Sequence, residues 1–153
     1  MKITNEAIIF IGIQATGKSE FYKRNFADTH VRVNLDMLKT RNRERILLDA
    51  CIEAKQSFVI DNTNPTAADR ARYIPKARDA GLKITGYYFR SSLQEAISRN
   101  KTRTGKASIP ITAIAGTQSK LELPSYAEGF DELYYVRIAD NGDFITEEYN
   151  DEV

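Results

Sequence analysis

The segment GIQATGKS, residues 12–19, has residue types and spacing suited to holding the phosphates of a nucleotide. It matches the pattern G-x-x-x-x-G-K-[ST] at Gly12, Gly17, Lys18 and Ser19. Glycines let backbone N–H groups converge on phosphate oxygens, and the N-terminus of a following helix adds a partial positive charge. Lys18 is expected to reach the β- and γ-phosphates and the Ser19 hydroxyl to ligate Mg²⁺, so we expect ATP and magnesium as cofactors.

Three further residues complete the expected nucleotide-binding segment, namely Ala15, Thr16 and Glu20. Ala15 stands where many small kinases carry glycine, so the position must adopt a conformation that alanine tolerates. A Gly-containing turn that happens to carry a lysine is the alternative explanation of the motif. The surrounding sequence argues against it, because the apolar run Ala7–Ile11 precedes the loop and a helical pattern follows it.

Two aspartates follow strand patterns and could take part in chemistry at the bound phosphates. Asp61 closes the run Phe58–Ile60, where a strand of this kind delivers a carboxylate near the metal; an Asx turn or cap in the sequence DNTN is the alternative. Asp36 begins a long helical pattern, so it is either an N-terminal cap or a residue at the carboxyl end of a strand, where open α/β sheets bind ligands. With a single histidine in the chain, a general base for an alcohol nucleophile is expected to be a carboxylate, and Asp36 is the best candidate.

Strands and helices alternate along the chain and must bring these residues together. Apolar or alternating runs predict strands at residues 7–13, 30–34, 57–61, 82–89 and 132–138. Helical spacing predicts helices at residues 18–26, 36–55, 64–80, 93–101 and 111–121, with a kink or break at Pro75. This order predicts an α/β fold of three layers, with a mainly parallel central sheet and helices on both faces. We expect one domain over residues 1–153.

Composition excludes several classes of function. The chain has 153 residues, of which 42% are hydrophobic and 28% charged, and its formal net charge is +1. A strongly basic nucleic-acid binder is not indicated, so an anionic partner must be held by a local patch. One cysteine, Cys51, and one histidine, His30, exclude a clustered His/Cys metal site and argue against a Ser-His-Asp triad. We expect a buried Cys51, no signal peptide, no membrane span and a cytoplasmic location.

At these residues the sequence resembles the 5′-polynucleotide kinases, the P-loop phosphotransferases of phage end-healing enzymes and of mammalian kinase-phosphatases. The shared segments, in the family's order, are GIQATGKSEF, VNLDMLK, FVIDNTNPTAADRARYIPKARDAG, RNKTRTGKASIP and LPSYAEGFDEL. The resemblance implies a P-loop kinase fold with a short lid at about residues 99–118. It also implies transfer of the γ-phosphate of ATP to the 5′-hydroxyl of DNA or RNA, whose 5′ ends are then the expected partner.

The resemblance further implies roles for single residues near the reacting phosphate. Lys18 and Ser19 would bind ATP and Mg²⁺, and Asp36 would be the general base that activates the 5′-hydroxyl. Lys39 stands where phage relatives carry an arginine near the scissile phosphate. Arg103 would be the lid arginine on the donor phosphates.

Three other arginines receive roles from the same resemblance. Arg99 would lie nearer the nucleotide than Arg103, and Arg70 or Arg72 would hold the phosphate on the 3′ side of the acceptor. The residues alone favour a solvated charged loop for the lid pair and an exposed helix face for Arg70 and Arg72. The sequence departs from the family at Glu20, where relatives commonly have threonine, and at Leu35, where mammalian enzymes have an arginine that touches the acceptor.

Alternative functions remain open at this point. The basic run KTRNRER, residues 39–45, is either a phosphate-binding face for a nucleic acid or the outer face of an amphipathic helix. The acceptor could instead be a small alcohol such as a nucleoside, sugar or antibiotic. A nucleotide-binding switch that phosphorylates no alcohol is the third reading. DNA or RNA preference and the oligomeric state are left open by the sequence.

Overall fold

Six strands form one sheet in a computed structural model that describes residues 5–102 and 109–150. The strands are β1 (Glu6–Ile11), β2 (Val31–Val33), β3 (Phe58–Ile60), β4 (Lys83–Phe89), β5 (Glu132–Ile138) and β6 (Phe144–Glu148). The order across the sheet is β2-β3-β1-β4-β5-β6, with β1 to β5 parallel and β6 antiparallel to β5. The predicted α/β fold with a mainly parallel central sheet is therefore confirmed.

Seven α-helices cover the sheet in the part of the chain that the structure describes. They are α1 (Lys18–Asn25), α2 (Leu35–Leu38), α3 (Arg41–Glu53), α4 (Ala67–Arg70), α5 (Ile74–Asp79), α6 (Leu93–Asn100) and α7 (Ile111–Lys120). A short 3₁₀ helix, Tyr126–Glu128, precedes β5. None of the helices described has the length and apolar character needed to cross a membrane.

The two faces of the sheet carry separate apolar layers. On one face, Ile9 and Ile60 pack with Leu48 and Cys51 of α3, so the prediction of a buried Cys51 is confirmed. On the other face, Phe10 lies in a layer with Phe21 of α1. Strand residues alternate between the faces, which is why successive residues of β1 enter different layers.

The long predicted helix at residues 36–55 is divided into α2 and α3. Lys39 ends α2 with φ 75°, a backbone conformation that interrupts a helix. Thr40 then caps α3, because its hydroxyl accepts a hydrogen bond from Arg43 N at 3.1 Å. The division places Asp36 in a helix of one turn beside the loop after β3 instead of at the start of a long helix.

The predicted break near Pro75 is confirmed. Residues 64–80 form two helices, and Pro75 lies in the first turn of α5, where its missing N–H removes no intrahelical bond. Thr66 starts α4 through a capping box with Asp69.

Strand β6 is the element that the sequence analysis missed. It pairs with β5 through a tight turn in which Gly142 has φ 86°. The signal was present, because Asn141-Gly142 between two alternating segments is a strong hairpin pattern. Phe144 of β6 lies beside Gly17 of the phosphate loop and packs against Phe21 of α1.

Candidate active site

A cleft of about 960 Å³ opens where the phosphate loop, α2 and the loop after β3 meet. This is the carboxyl edge of the sheet, because parallel pairing of Ile9 with Ile60 carries the ends of β1 and β3 to the same side. Its lining includes nine of the predicted site residues: Ala15, Thr16, Gly17, Lys18, Ser19, Glu20, Asp36, Lys39 and Asp61. Gln14, Lys23, Asn34, Leu35, Asn62, Thr63 and Ile109 complete it.

Two glycines of the phosphate loop are required by their surroundings. Gly17 has φ 92°, and a Cβ built there would lie 2.8 Å from the ring of Phe144. A Cβ on Gly12 would lie 3.0 Å from Cβ of Phe89. The loop therefore lies close to β4 and β6 only because both positions lack a side chain.

Ala15 has φ 62°, in the left-handed region that favours glycine. The conformation costs alanine roughly 1–2 kcal/mol. Its methyl group is buried against Ile13, Ala96 of α6 and Ile114 of α7, and this packing offsets part of the cost. Alanine is thus tolerated here with strain, and its side chain packs the phosphate loop against α6 and α7.

The ammonium group of Lys18 lies over the phosphate loop. It donates hydrogen bonds to the carbonyl oxygens of Gly12 at 2.9 Å and Ile13 at 2.6 Å. Arg99 of α6 donates to the carbonyl oxygen of Ala15 at 3.4 Å, so its guanidinium reaches the loop from the side of the predicted lid. Arg103 lies outside the described residues, as do its neighbours 104–108.

Ser19 and Asp61 are in direct contact. The Ser19 hydroxyl donates to Oδ2 of Asp61 at 3.0 Å, and Asp61 is 2% exposed. Arg32 of β2 donates to the same carboxylate oxygen at 2.8 Å and to Ser19 Oγ at 2.9 Å. The carboxylate of Asp61 therefore bonds to side chains from two other elements, which does not fit the alternative of a local Asx turn.

The two oxygens fit a magnesium ion in chemistry. Mg²⁺ prefers oxygen ligands, keeps several waters and commonly takes only one or two protein groups besides phosphate oxygens. Ser19 Oγ and the Asp61 carboxylate supply such groups at the mouth of the phosphate loop.

Asp36 is exposed and lines the same cleft. The capping role considered for it belongs to Asn34, whose side-chain oxygen accepts from Met37 N at 2.9 Å. Among residues 5–102 and 109–150, the Asp36 carboxylate makes no hydrogen bond or ion pair. It is therefore open to a ligand in the cleft.

A buried polar network holds the segment that carries Asp36. Asn62 accepts a hydrogen bond from Leu35 N at 2.9 Å and donates to Oε2 of Glu44 at 3.0 Å. Glu44 is 4% exposed and also receives the Tyr73 hydroxyl at 3.2 Å. Burial raises the pKa of Tyr73, and the Glu44 carboxylate raises it further, so the hydroxyl keeps its proton at neutral pH.

Sequence reasoning did not identify Arg32, Asn34 or Asn62 as site residues. Asn62 could have been found, because it stands in the polar sequence DNTN that follows a buried strand. Arg32 carried no comparable signal, since a single arginine in a short alternating strand is ordinarily solvent-exposed.

Arg70 is placed differently from both of its sequence-based interpretations. Its side chain is fully buried, and Nε and Nη2 donate to the two carboxylate oxygens of Glu128 at 2.7 and 3.0 Å. A guanidinium with no exposed surface cannot meet an acceptor phosphate in this conformation, so the expected contact is not supported. Arg72 is exposed in the turn between α4 and α5, but neither arginine lines the cleft.

The basic run at residues 39–45 divides between the cleft and α3. Lys39 lines the cleft, whereas Arg41 is bonded to Glu44 at 2.9 Å and Arg43 to the Leu38 carbonyl at 3.2 Å. Both arginines therefore hold local structure, and Lys39 is the cation of this run that faces the site.

The chain belongs to the AAA_33 family, described as an AAA domain, whose model matches residues 8–124. It is 31% identical over 132 residues to the bifunctional polynucleotide phosphatase/kinase of Schizosaccharomyces pombe, a match that covers 82% of this chain and 32% of that protein. The chain thus spans about a third of the length of this relative. The resemblance to the polynucleotide kinases is confirmed.

Solved structures confirm the P-loop kinase fold. A gluconokinase from Sinorhizobium meliloti has a TM-score of 0.61 at 18% identity, with 88% of this chain and 83% of that chain covered. A chain of the Pnkp1/Rnl/Hen1 RNA repair complex has a TM-score of 0.64 at 21% identity, with 79% and 45% covered. These similarities describe the fold alone.

Proposed function

We propose that this protein transfers the γ-phosphate of ATP to the 5′-hydroxyl of DNA or RNA, with Asp36 as general base and Mg²⁺ as cofactor. One observation carries the proposal: a single cleft joins the phosphate loop to an exposed aspartate whose capping role is taken by Asn34. The choice of acceptor rests on the similarity to the Schizosaccharomyces pombe polynucleotide phosphatase/kinase.

The donor side of the cleft binds the triphosphate. Backbone N–H groups of residues 13–18 and the N-terminus of α1 attract the phosphate oxygens, and the Lys18 ammonium moves from loop carbonyls to the β- and γ-phosphates. Ser19 and Asp61 would hold the metal, which would neutralise charge on the phosphates. Arg99 adds a cation from α6. Arg103, in the predicted lid, adds a second cation and helps to exclude water from the phosphates.

The acceptor side prepares the nucleophile. Asp36 accepts the proton of the 5′-hydroxyl while the hydroxyl oxygen attacks the γ-phosphorus. The bond between the γ-phosphorus and the oxygen that bridges it to the β-phosphate breaks, and ADP is released. Lys39, exposed on the same side of the cleft, binds a phosphate of the acceptor strand. The Asn62–Leu35 hydrogen bond fixes the turn from which Asp36 projects.

The test is transfer of labelled γ-phosphate to a panel of acceptors. The panel contains 5′-hydroxyl DNA and RNA oligonucleotides, the same oligonucleotides with a 5′-phosphate, a free nucleoside, and gluconate. We expect label on at least one 5′-hydroxyl oligonucleotide and none on its 5′-phosphorylated control. Label on the nucleoside or gluconate alone would show that the acceptor is a small alcohol and not a nucleic acid. ATP binding without any labelled product would favour a nucleotide-binding switch that phosphorylates no alcohol.

A further inference from the structure

The guanidinium of Arg32 is hydrogen-bonded to the two protein groups proposed to hold magnesium, Ser19 and Asp61. It lies 2.8 Å from Asp61 Oδ2 and 2.9 Å from Ser19 Oγ, while Ser19 and Asp61 are 3.0 Å apart. The three side chains thus form a closed triangle at the mouth of the phosphate loop. The Arg32 side chain is 28% exposed, so one side of this triangle faces solvent.

Strand register explains why Arg32 reaches this place. Val33 enters the apolar layer that contains Ile60, so the neighbouring Arg32 projects from the opposite face of β2. Arg32 pairs with Val59 across the sheet, and Asp61 lies two residues beyond Val59 on the same face. The Tyr22 ring, 6.0 Å from the guanidinium, lies beside it on α1. The position is therefore built by two strands and a helix.

The contacts of Arg32 disfavour binding of a divalent cation at Ser19 and Asp61 in two ways. The guanidinium is always charged and neutralises the Asp61 carboxylate that would attract the metal. Its N–H group also uses a lone pair of Ser19 Oγ, the atom expected to ligate Mg²⁺. Two cations on the same oxygens repel each other, and the repulsion is strong so close to a buried carboxylate.

We propose that Arg32 is a positioning residue that keeps free divalent cations off Ser19 and Asp61 until a nucleotide brings one. The inference rests on the metal role of these residues in the proposed function. In the nucleotide-free protein, Arg32 supplies the positive charge that Asp61 needs. The triphosphate adds negative charge and further oxygen ligands, and Arg32 then yields Ser19 Oγ to the metal. Metal and nucleotide binding are coupled as a result.

The experiment measures binding of Mn²⁺ alone to the nucleotide-free protein by electron paramagnetic resonance. For Arg32→Gln we expect affinity for Mn²⁺ to rise at least about tenfold over wild type, because a unit charge is removed within a few ångströms of the metal. Arg137→Gln is the matched control, since Arg137 is also a strand arginine paired with a carboxylate, at 3.3 Å, but on β5. It should bind Mn²⁺ like wild type.

Arg32→Lys keeps the positive charge on a smaller head group, so its Mn²⁺ affinity should stay close to that of wild type. This variant separates the effect of charge from the effect of side-chain shape. A second readout is the gain in Mn²⁺ affinity when ATP is added, which should be smaller in Arg32→Gln than in wild type. Thermal unfolding of each variant establishes that the folded protein is being titrated.

Equal Mn²⁺ affinity in folded wild type and Arg32→Gln would overturn the proposal, as would an increase of the same size in Arg137→Gln. These measurements use no acceptor. Failure here therefore contradicts the role of Arg32 or the metal role of Ser19 and Asp61, but not phosphoryl transfer itself. Failure to label any 5′-hydroxyl oligonucleotide contradicts the proposed function.

Discussion

The side-chain oxygen of Asn62 accepts a hydrogen bond from the backbone N–H of Leu35 at 2.9 Å, one residue before Asp36. The amide nitrogen of Asn62 donates to the buried Glu44 at 3.0 Å, which orients the amide. The loop after β3 thus holds the segment that carries the proposed general base. In the proposed function, Asn62 acts on the reaction through the position of Asp36.

Replacing Asn62 should lower turnover without weakening ATP binding. Asn62→Ala removes these two hydrogen bonds and a third, which the amide nitrogen donates to the Tyr73 hydroxyl at 3.4 Å. A shift of about 1 Å in a reacting group can cost roughly 100-fold in rate. We expect kcat to fall about 10- to 100-fold, with the ATP Kd from calorimetry within a factor of two. Asn62→Asp keeps the acceptor for Leu35 N but faces Glu44 with a second carboxylate, so it should not restore kcat. Wild-type kcat in Asn62→Ala would show that Asp36 is held by other contacts.

Arg70 should contribute to the stability of the fold and not to binding of the acceptor. Arg70→Met leaves Glu128 without its guanidinium partner, and breaking a buried pair in this way costs about 3–5 kcal/mol in the free energy of unfolding. Arg72→Met, on the exposed neighbouring turn, should change it by about 0.5 kcal/mol or less. Urea denaturation measures both. A raised oligonucleotide KM in Arg70→Met with unchanged stability would restore the acceptor role predicted from the sequence.

Lys39 should contribute to acceptor binding. Lys39→Gln is expected to raise the oligonucleotide KM several-fold and to reduce the salt dependence of binding by nearly one unit of slope, because one phosphate contact is lost. Lys55→Gln is a matched control, since Lys55 is also an exposed lysine with positive φ, at 56°, but lies outside the cleft. Steady-state kinetics at several salt concentrations make the comparison. Equal effects of the two variants would contradict a specific contact at Lys39.

Ala15 should tolerate glycine and reject a β-branched residue. Ala15→Gly relieves the left-handed strain but loses a buried methyl group and makes the unfolded chain more flexible, so stability should change by about 1 kcal/mol or less. Ala15→Val places a branched side chain at φ 62° in a filled apolar cluster and should lose at least about 2 kcal/mol. Thermal unfolding measures both variants. A valine variant as stable as wild type would show that the loop changes conformation easily.

Local patterns were sufficient for most of the architecture. The segment at residues 12–19 and the apolar run before it predict a strand, a loop and a helix within one short stretch, and all three are found. Asp61 was expected near the phosphate loop because it ends a buried strand, and it lies 3.0 Å from Ser19. The metal role of this pair stays a prediction.

Contacts between segments far apart in the chain could not be predicted from local sequence patterns. Arg70 looked like an exposed helix residue because its partner Glu128 lies 58 positions further along the chain in a 3₁₀ helix. Arg32 likewise depends on the register between β2 and β3, which periodicity alone does not specify. Strand β6 was missed although its Asn-Gly turn was visible, because its outer residues are largely polar.

The most direct test of the central claim is single-turnover transfer of labelled γ-phosphate to a 5′-hydroxyl oligonucleotide by Asp36→Asn. The substitution keeps the size of the side chain but removes the proton acceptor, so we predict a rate lower by roughly 10²–10⁴-fold at unchanged ATP affinity. Asp28→Asn, on the exposed turn after α1, is the control and should transfer at the wild-type rate. Transfer by Asp36→Asn at the wild-type rate would contradict Asp36 as the general base.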